Sequence, residues 1–413
     1  MIRLNRWGSC LWAVASFGCA MMSRADGFRN PPDTAAALGK AGKHMVWVDD
    51  SSAIFYNPAN LVDVRARELQ LSTMLGYSHA DYNGKWGPTQ TERPWGVLPA
   101  FSSAWHVPET DFALGLGMHV PYGRQTLWDS SGPFPIFSKM SVMDFASSAA
   151  LRISESLSVG AGLDVYYGRL QFRQFLPFPA PFPLGRLEAD ADGFAVGGNV
   201  GITWRITPRQ RLALTARAPF DIKFKGNLQA DNMLPPPFLP PSVAESDLNT
   251  NFKFPTIIAL GYGLQLTETL RVEANVEWLQ FSRYKTMVIN AGANSALAGA
   301  LGLANAPQNW DDTWTFGLGG EWCFAPEWTL RAGYLYLQSP TPNSTFAPLA
   351  LDVNQSVVSM GVGYKHNQHG IDLAYALGLF ETRRGTNPAN GGYYVGDYEF
   401  QGHLVALSYT YSF

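Results

Sequence analysis

The sequence predicts an all-β protein, a transmembrane antiparallel β-barrel of 14 strands with an N-terminal plug, and three observations lead there. Aromatic residues make up 13% of the chain and glycines number 40, while charged residues are only 15%. Yet beyond residue 25 no apolar run reaches the roughly 18 residues that a membrane-spanning helix needs. An apolar surface made of alternate residues is what such a composition can still supply, and that is the pattern of a membrane barrel. From Glu68 onward the chain does break into period-two segments, and the connectors between them alternate between short and long.

The first element is an export signal. Arg3 and Arg6 make a positive start, Cys10 to Met22 is mostly apolar, and Ser23-Arg24-Ala25 places small residues where a signal peptidase reads. Residues 1–25 therefore read as a secretory signal peptide, whose apolar core is too short to span a bilayer permanently. A lipoprotein reading would make Cys19 the first mature residue, but Phe17 is bulky where small residues are wanted. Cys10 and Cys19 leave with the signal, so Cys323 remains alone and forms neither an internal disulfide nor a multi-cysteine metal site. No metal or cofactor is expected. Loss of Arg3, Arg6 and Arg24 takes the formal charge from −3 to −6, and the absence of any basic run argues against nucleic acid as a partner.

Residues 26–66 show little period-two pattern. Small-residue stretches (Thr34 to Leu38, Gly39 to Gly42) precede Asp49-Asp50-Ser51-Ser52 and then Ala53-Ile54-Phe55-Tyr56-Asn57-Pro58-Ala59. A barrel of this width has an interior that wall side chains alone do not fill, so the segment either trails outside or folds into the lumen. The apolar Ile54-Phe55-Tyr56 favours a plug, with a turn at Asn57-Pro58.

The barrel itself occupies 67–413. Leu270, Val272, Ala274, Val276 and Trp278 alternate with Arg271, Glu273, Asn275 and Glu277, placing an apolar face opposite a polar one. Strands are expected near 68–82, 95–107, 111–122, 139–154, 157–175, 186–206 and 210–226, then near 250–266, 269–290, 310–324, 327–339, 352–366, 369–383 and 397–413. An even number returns both ends to the periplasmic side. Pro108-Glu109-Thr110, Glu155-Ser156, Thr267-Glu268 and Ala325-Pro326-Glu327 read as tight turns, whereas 122–138, 227–249 and 291–309 are long outer links. Two outer loops are proline-rich, Pro177 to Pro183 and Pro235 to Pro241, and read either as stiff loops or as an apolar landing surface. The chain ends Tyr409-Thr410-Tyr411-Ser412-Phe413, an aromatic last strand similar to the signal read by the bacterial barrel-assembly machinery.

The string Ala-Ile-Phe-Tyr-Asn-Pro-Ala at 53–59, after Asp49-Asp50 and a Gly/Ala-rich stretch, resembles the plug of the FadL/TodX family of outer-membrane transporters for long-chain fatty acids and aromatic hydrocarbons. Leu212 to Asn227, Trp278 to Lys285 and Trp328 to Pro340 resemble later parts of the same family, so the likeness covers essentially the whole mature chain. It implies a 14-strand barrel closed by a plug that includes Phe55, Asn57, Pro58 and Ala59. It also implies ligand capture among the outer loops, an interior pocket, and lateral release at a kink in the third strand, here Pro121-Tyr122-Gly123. Proline removes a ladder donor there, which favours local loss of pairing on physical grounds as well. Lys285 matches the family's ligand-binding lysine, and strand parity puts Arg283 on its face provided no bulge intervenes. Where the family can present an arginine this chain has Gln174, with Arg173 beside it on the other face, which leaves room for an uncharged hydrocarbon.

The expected activity is therefore uptake of a hydrophobic small molecule, a fatty acid first and a hydrocarbon as the alternative, by a non-enzymatic monomer contacting outer-membrane lipid and lipopolysaccharide. A general porin would need no plug. A lipid-active enzyme would use a Ser–His pair, and His119, His366 and His403 lie in strands with serines nearby, but no nucleophile elbow accompanies them.

Overall fold

The computed structural model describes residues 26–64, 67–129, 136–176, 178, 181–235, 237–386 and 394–413. The expected signal peptide and part of the proline-rich loops (Pro177, Pro179, Ala180 and Pro236) lie outside the described residues.

The wall is a single antiparallel sheet of 14 strands closed on itself. In order it runs β1 (Glu68–Gly84), β2 (Trp95–His106), β3 (Phe112–Leu127), β4 (Ile136–Arg152), β5 (Leu157–Leu176) and β6 (Gly185–Thr207). Three strands in two segments follow: β7 (Gln210–Arg217 and Asp221–Asp231), β8 (Glu245–Lys253 and Ile257–Gln265) and β9 (Leu270–Leu279 and Thr286–Asn290). The last five are β10 (Thr313–Ala325), β11 (Trp328–Leu337), β12 (Gln355–His366), β13 (His369–Phe380) and β14 (Gly396–Ser412). Pairing of β1 with β14 from Glu68↔Ser412 to Gly84↔Gly396 closes the ring, which removes the free edges an open sheet would expose to lipid.

Two expectations about the strands are corrected. The segments expected at 210–226, 250–266 and 269–290 are not continuous. Pro219 and Pro255, which cannot donate to a ladder, stand in the first two breaks, and a 3₁₀ turn at Phe281–Arg283 makes the third. The third strand, expected to end near 122, instead runs on to Leu127 through a bulge: His119 pairs with Asp144 and Tyr122 with Val142, so Val120 and Pro121 face one residue, Met143.

The outward face carries the apolar band. On β10, Trp314, Phe316, Leu318 and Trp322 all point out and are exposed. The two tryptophans are eight residues apart, about 26 Å along a strand, which matches the roughly 25 Å apolar belt of an outer-membrane barrel with aromatic girdles at its borders. Tight connections at 107–111, 153–156, 266–269 and 326–327 gather at one end, called here the turn end, and the long links at the other, the loop end.

Residues 26–64 lie within the barrel. Helix α1 (Ala35–Gly39) packs on β11 to β14, and the 3₁₀ turn Pro58–Asp63 packs on β2 to β6 across the lumen. Thr34 caps α1 by accepting from the Ala37 N–H, and Asn57 caps the 3₁₀ turn by accepting from the Ala59 N–H at 3.2 Å, with Pro58 at its first position. Helix α2 (Ala53–Tyr56) buries Ile54 and Phe55 against the 3₁₀ turn and strands β3 and β4. The Asn57-Pro58-Ala59 turn sits on Gly160 of β5 and Gly201 of β6, where a Cβ would collide with Pro58 and with the Asn57 carboxamide.

Candidate functional site

Two kinds of contact hold the lumenal segment. Towards the turn end they are ionic and dense. Asp63 receives Arg152 at 2.9 Å, Arg205 at 2.6 Å and Arg211 at 2.9 Å. The Glu273 carboxylate accepts the backbone N–H groups of Met45, Val46 and Trp47 at 3.1, 3.3 and 2.8 Å. Asn57 donates to Met45 O at 3.0 Å and to Thr203 Oγ1 at 2.8 Å. Lys43 meets Glu277 at 3.4 Å. These charges are buried or half-buried, and each carboxylate is met by cations or by backbone N–H groups, as removal of an ion from water demands.

Towards the loop end the segment becomes a short arm, residues 26–33, held differently. Phe28 is buried in a box of rings: Phe254 and Trp310 at 5.1 Å, Phe281 at 5.6 Å, Tyr284 at 6.0 Å and Tyr122 at 6.2 Å. The box exists because of the wall breaks. Phe254 sits in the break of β8 and Phe281 and Tyr284 in that of β9; with Phe220, from the break of β7, all are turned inward and buried. The bulge at Val120-Pro121 serves the same end. Odd residues of β3 face inward up to His119, and beyond the bulge Tyr122 and Arg124 take over that face.

The same region has a gap in the wall. β2 pairs with β3 only from His106↔Ala113 to Phe101↔Met118, while Trp95 to Ala100 pair with β1 alone. Residues 119–126 of β3 thus lack β2 over about 25 Å of strand. Above the gap the wall closes again through Thr91↔Trp128 and the Glu92 N–H donating to Leu127 O at 2.7 Å. The arm fills part of the vacated place: Arg29 bridges Tyr122, Asn30 N–H donates to Pro121 O at 2.8 Å, and Gly123 N–H donates to Phe28 O at 2.8 Å. The Asn30 carboxamide adds a bond to Val120 O at 2.7 Å, and the Arg124 guanidinium donates to Gly27 O. Burial pushes the Asp26 carboxyl up to about 7, with Arg29 opposing the shift. A cavity of about 210 Å³ lies beside the arm, lined among others by Asn30, Phe55, Pro121, Leu335 and Phe380.

The residues expected at the site are distributed unevenly. Phe55 is stacked on His119 at 4.2 Å and borders the cavity, and Asn57, Pro58 and Ala59 form the turn described above. Pro121, Tyr122 and Gly123 lie at the gap. Arg283 and Lys285 lie in the break of β9, at and just after the 3₁₀ turn and outside its strand segments, so strand parity does not group them with Arg271 and Glu273. Arg283 donates to Phe254 O at 2.6 Å and pairs with Asp221 at 3.1 Å, while the Lys285 ammonium lies 3.5 Å from Trp310 O, beside the ring box. Gln174 shares the inward face of β5 with Tyr166 and Phe172; Arg173 points outward and pairs with Glu188. Neither lines the cavity. Phe28, Phe254 and Trp310 escaped the sequence reading. Pro219 and Pro255, prolines inside period-two runs, were the available signal for the breaks.

None of the three strand histidines noted in the sequence bonds a serine among the described residues. His119 lies between Asp33 and Asp144, His403 bonds the Tyr375 hydroxyl at 2.7 Å, and His366 meets Glu327. Among the described residues no group of His, Cys, Asp and Glu is arranged to hold a metal ion.

The long-chain fatty acid transport protein of Salmonella typhi is 22% identical over 97% of each chain. Among solved structures, a FadL homologue from Pseudomonas aeruginosa superposes with a TM-score of 0.82 at 22% identity, covering 94% of this chain and all of that one. The toluene transporter TodX of Pseudomonas putida gives 0.74 at 18% identity over 94% of this chain and 99% of its own. Residues 17–413 match the family model described as outer membrane protein transport protein (OMPP1/FadL/TodX), and the chain belongs to that family of outer-membrane β-barrels.

Proposed function

We propose that the protein takes up a hydrophobic compound through the outer membrane and releases it sideways through the gap between β2 and β3. The observation that carries this reading is the loss of β2–β3 pairing above Met118, with the arm rather than a wall strand beside β3. A hydrophobic solute gains little by entering the periplasm but partitions favourably into the membrane, so an exit in the wall suits such a cargo. In this reading the turn end faces the periplasm, residues 26–64 plug the lumen, and exposed Phe182, Leu184 and Phe238 near the proline-rich loops receive the ligand. A general porin is disfavoured because the segment occupies the lumen.

Deleting Pro121 removes the extra residue of the bulge and restores strand alternation without turning Tyr122 outward. The variant should remain a folded, heat-modifiable barrel and lose most uptake of a hydrophobic tracer; undiminished uptake would refute the lateral route.

Two cargos fit the ring box. A long-chain fatty acid would place its carboxylate at Lys285, which is in no ion pair among the described residues, whereas an aromatic hydrocarbon needs rings alone. The second reading gains support because the cations at the cavity, Arg29, Lys43 and Arg217, already have carboxylate partners. Replacing Lys285→Ala should weaken fatty-acid uptake more than toluene uptake if the carboxylate is bound there, and equal effects would favour the hydrocarbon.

A further inference from the structure

We propose that His119 is a positioning residue, a charged latch whose imidazolium ties the arm to the wall beside the gap and frees it on losing its proton. The inference rests on the lateral route, since it concerns what keeps that gap filled. His119 is the last residue of β3 before the bulge, and its ring is buried and stacked on Phe55. Its Nε2 lies 3.0 Å from Asp144 of β4 in hydrogen-bonding geometry. Its Nδ1 lies 2.9 Å from Asp33, the last residue of the arm, as an ion pair outside hydrogen-bonding geometry.

The two contacts differ in what they require. A neutral imidazole with its proton on Nε2 keeps the bond to Asp144, but presents a lone pair to the Asp33 carboxylate. Only Nε2 has a partner in hydrogen-bonding geometry, so the neutral ring keeps its proton there; the hold on the arm then depends on the positive charge and the hold on the wall does not. The surroundings increase that dependence. Arg217 of β7 reaches Asp144 at 3.3 Å and Asp164 of β5 at 2.8 Å, and the neutral hydroxyl of Tyr166 at 2.9 Å. Tyr122 of β3 and Tyr56 of α2 complete the nearby titratable groups, and the Tyr56 hydroxyl accepts the Asp33 backbone N–H at 2.8 Å. Three carboxylates thus share two cations while His119 is charged and one when it is not. Asp144 and Asp164 retain Arg217, whereas Asp33 has no second ion-pair partner among the described residues and is the contact that fails. From Asp33 the arm runs directly to Asn30 and Phe28, whose backbone bonds occupy the β3 edge.

The test reads the arm rather than transport, so failure of the latch is distinguishable from failure of the lateral route. Asp26 is the arm's other titrating group, so the parent protein carries Asp26→Asn. Hydrogen exchange of peptides covering 28–33 and 120–124 is followed from pH 7 to 10 in the purified full barrel, corrected for intrinsic rates. Protection should fall by about tenfold or more along one titration curve. Adding Asp33→Asn, which leaves the His119–Asp144 bond in place, should give the unprotected level at every pH, as should His119→Gln if that variant folds. A flat profile in the parent, or a titration that survives Asp33→Asn, would overturn the latch.

Discussion

The two halves of the lumenal segment are held by different physics. Between residues 43 and 64 the grip is electrostatic and redundant: Asp63 has three arginines, Glu273 takes three consecutive backbone N–H groups, and Asn57 bonds both its own segment and β6. Between residues 26 and 33 the grip is a ring among rings and a few bonds to the edge of one strand. Breaking the first leaves charges stranded in a lumen of low dielectric, which costs several kcal/mol for each ion. Breaking the second exchanges ring contacts for others that a hydrophobic ligand can supply.

The largest effect expected from this contrast is at Asp63. Asp63→Ala removes the shared partner of three half-buried arginines, so the loss falls below the roughly 3–5 kcal/mol of a fully buried pair, and it should raise leak of small polar solutes in planar bilayers. A leak equal to that of the unaltered protein would mean the turn-end grip is not what holds the segment. At the arm, Phe28→Leu keeps apolar burial but gives up the ring pairs, about 0.5–1.5 kcal/mol. Exchange of residues 28–33 should quicken while barrel melting stays unchanged, and a lowered melting temperature would show that the arm is part of the barrel's stability after all. A further effect, confined to a pH window, belongs to Asp26. Its folded pKa of about 7 lies above the ordinary carboxyl value of 3.8. The arm is therefore most stable at low pH, where the carboxyl is neutral whether packed or free, and loses that stability as pH rises from about 4 through 7. Asp26→Asn should flatten arm exchange in that window, and an unchanged slope would assign it to another group.

Much of the wall was legible because its signal is local. Alternation at Leu270 to Trp278 reports a strand with one lipid face wherever it occurs, and the short turns mark strand ends without reference to any partner. The Asn57-Pro58 turn was legible for the same reason, since capping and a fixed φ act within a few residues. The ring box was not. Phe28, Tyr122, Phe254, Phe281, Tyr284 and Trp310 come from five stretches of chain and have no common spacing. Parity did not apply at Arg283 and Lys285 because both lie in the non-strand break of β9, and beyond it Met287 and Ile289 again turn to the core.

By itself the sequence determined a 14-strand apolar-walled barrel and a non-strand segment ahead of it. Those features follow from periodicity and turn chemistry, both properties of neighbouring residues. Only the tertiary structure decided that β2 leaves β3 above Met118, that the arm takes its place, and that the cavity's cations are paired. Strand partners and charge partners are chosen by closure of the ring and by burial, which bring together residues such as Asp33 and His119 that no local pattern connects.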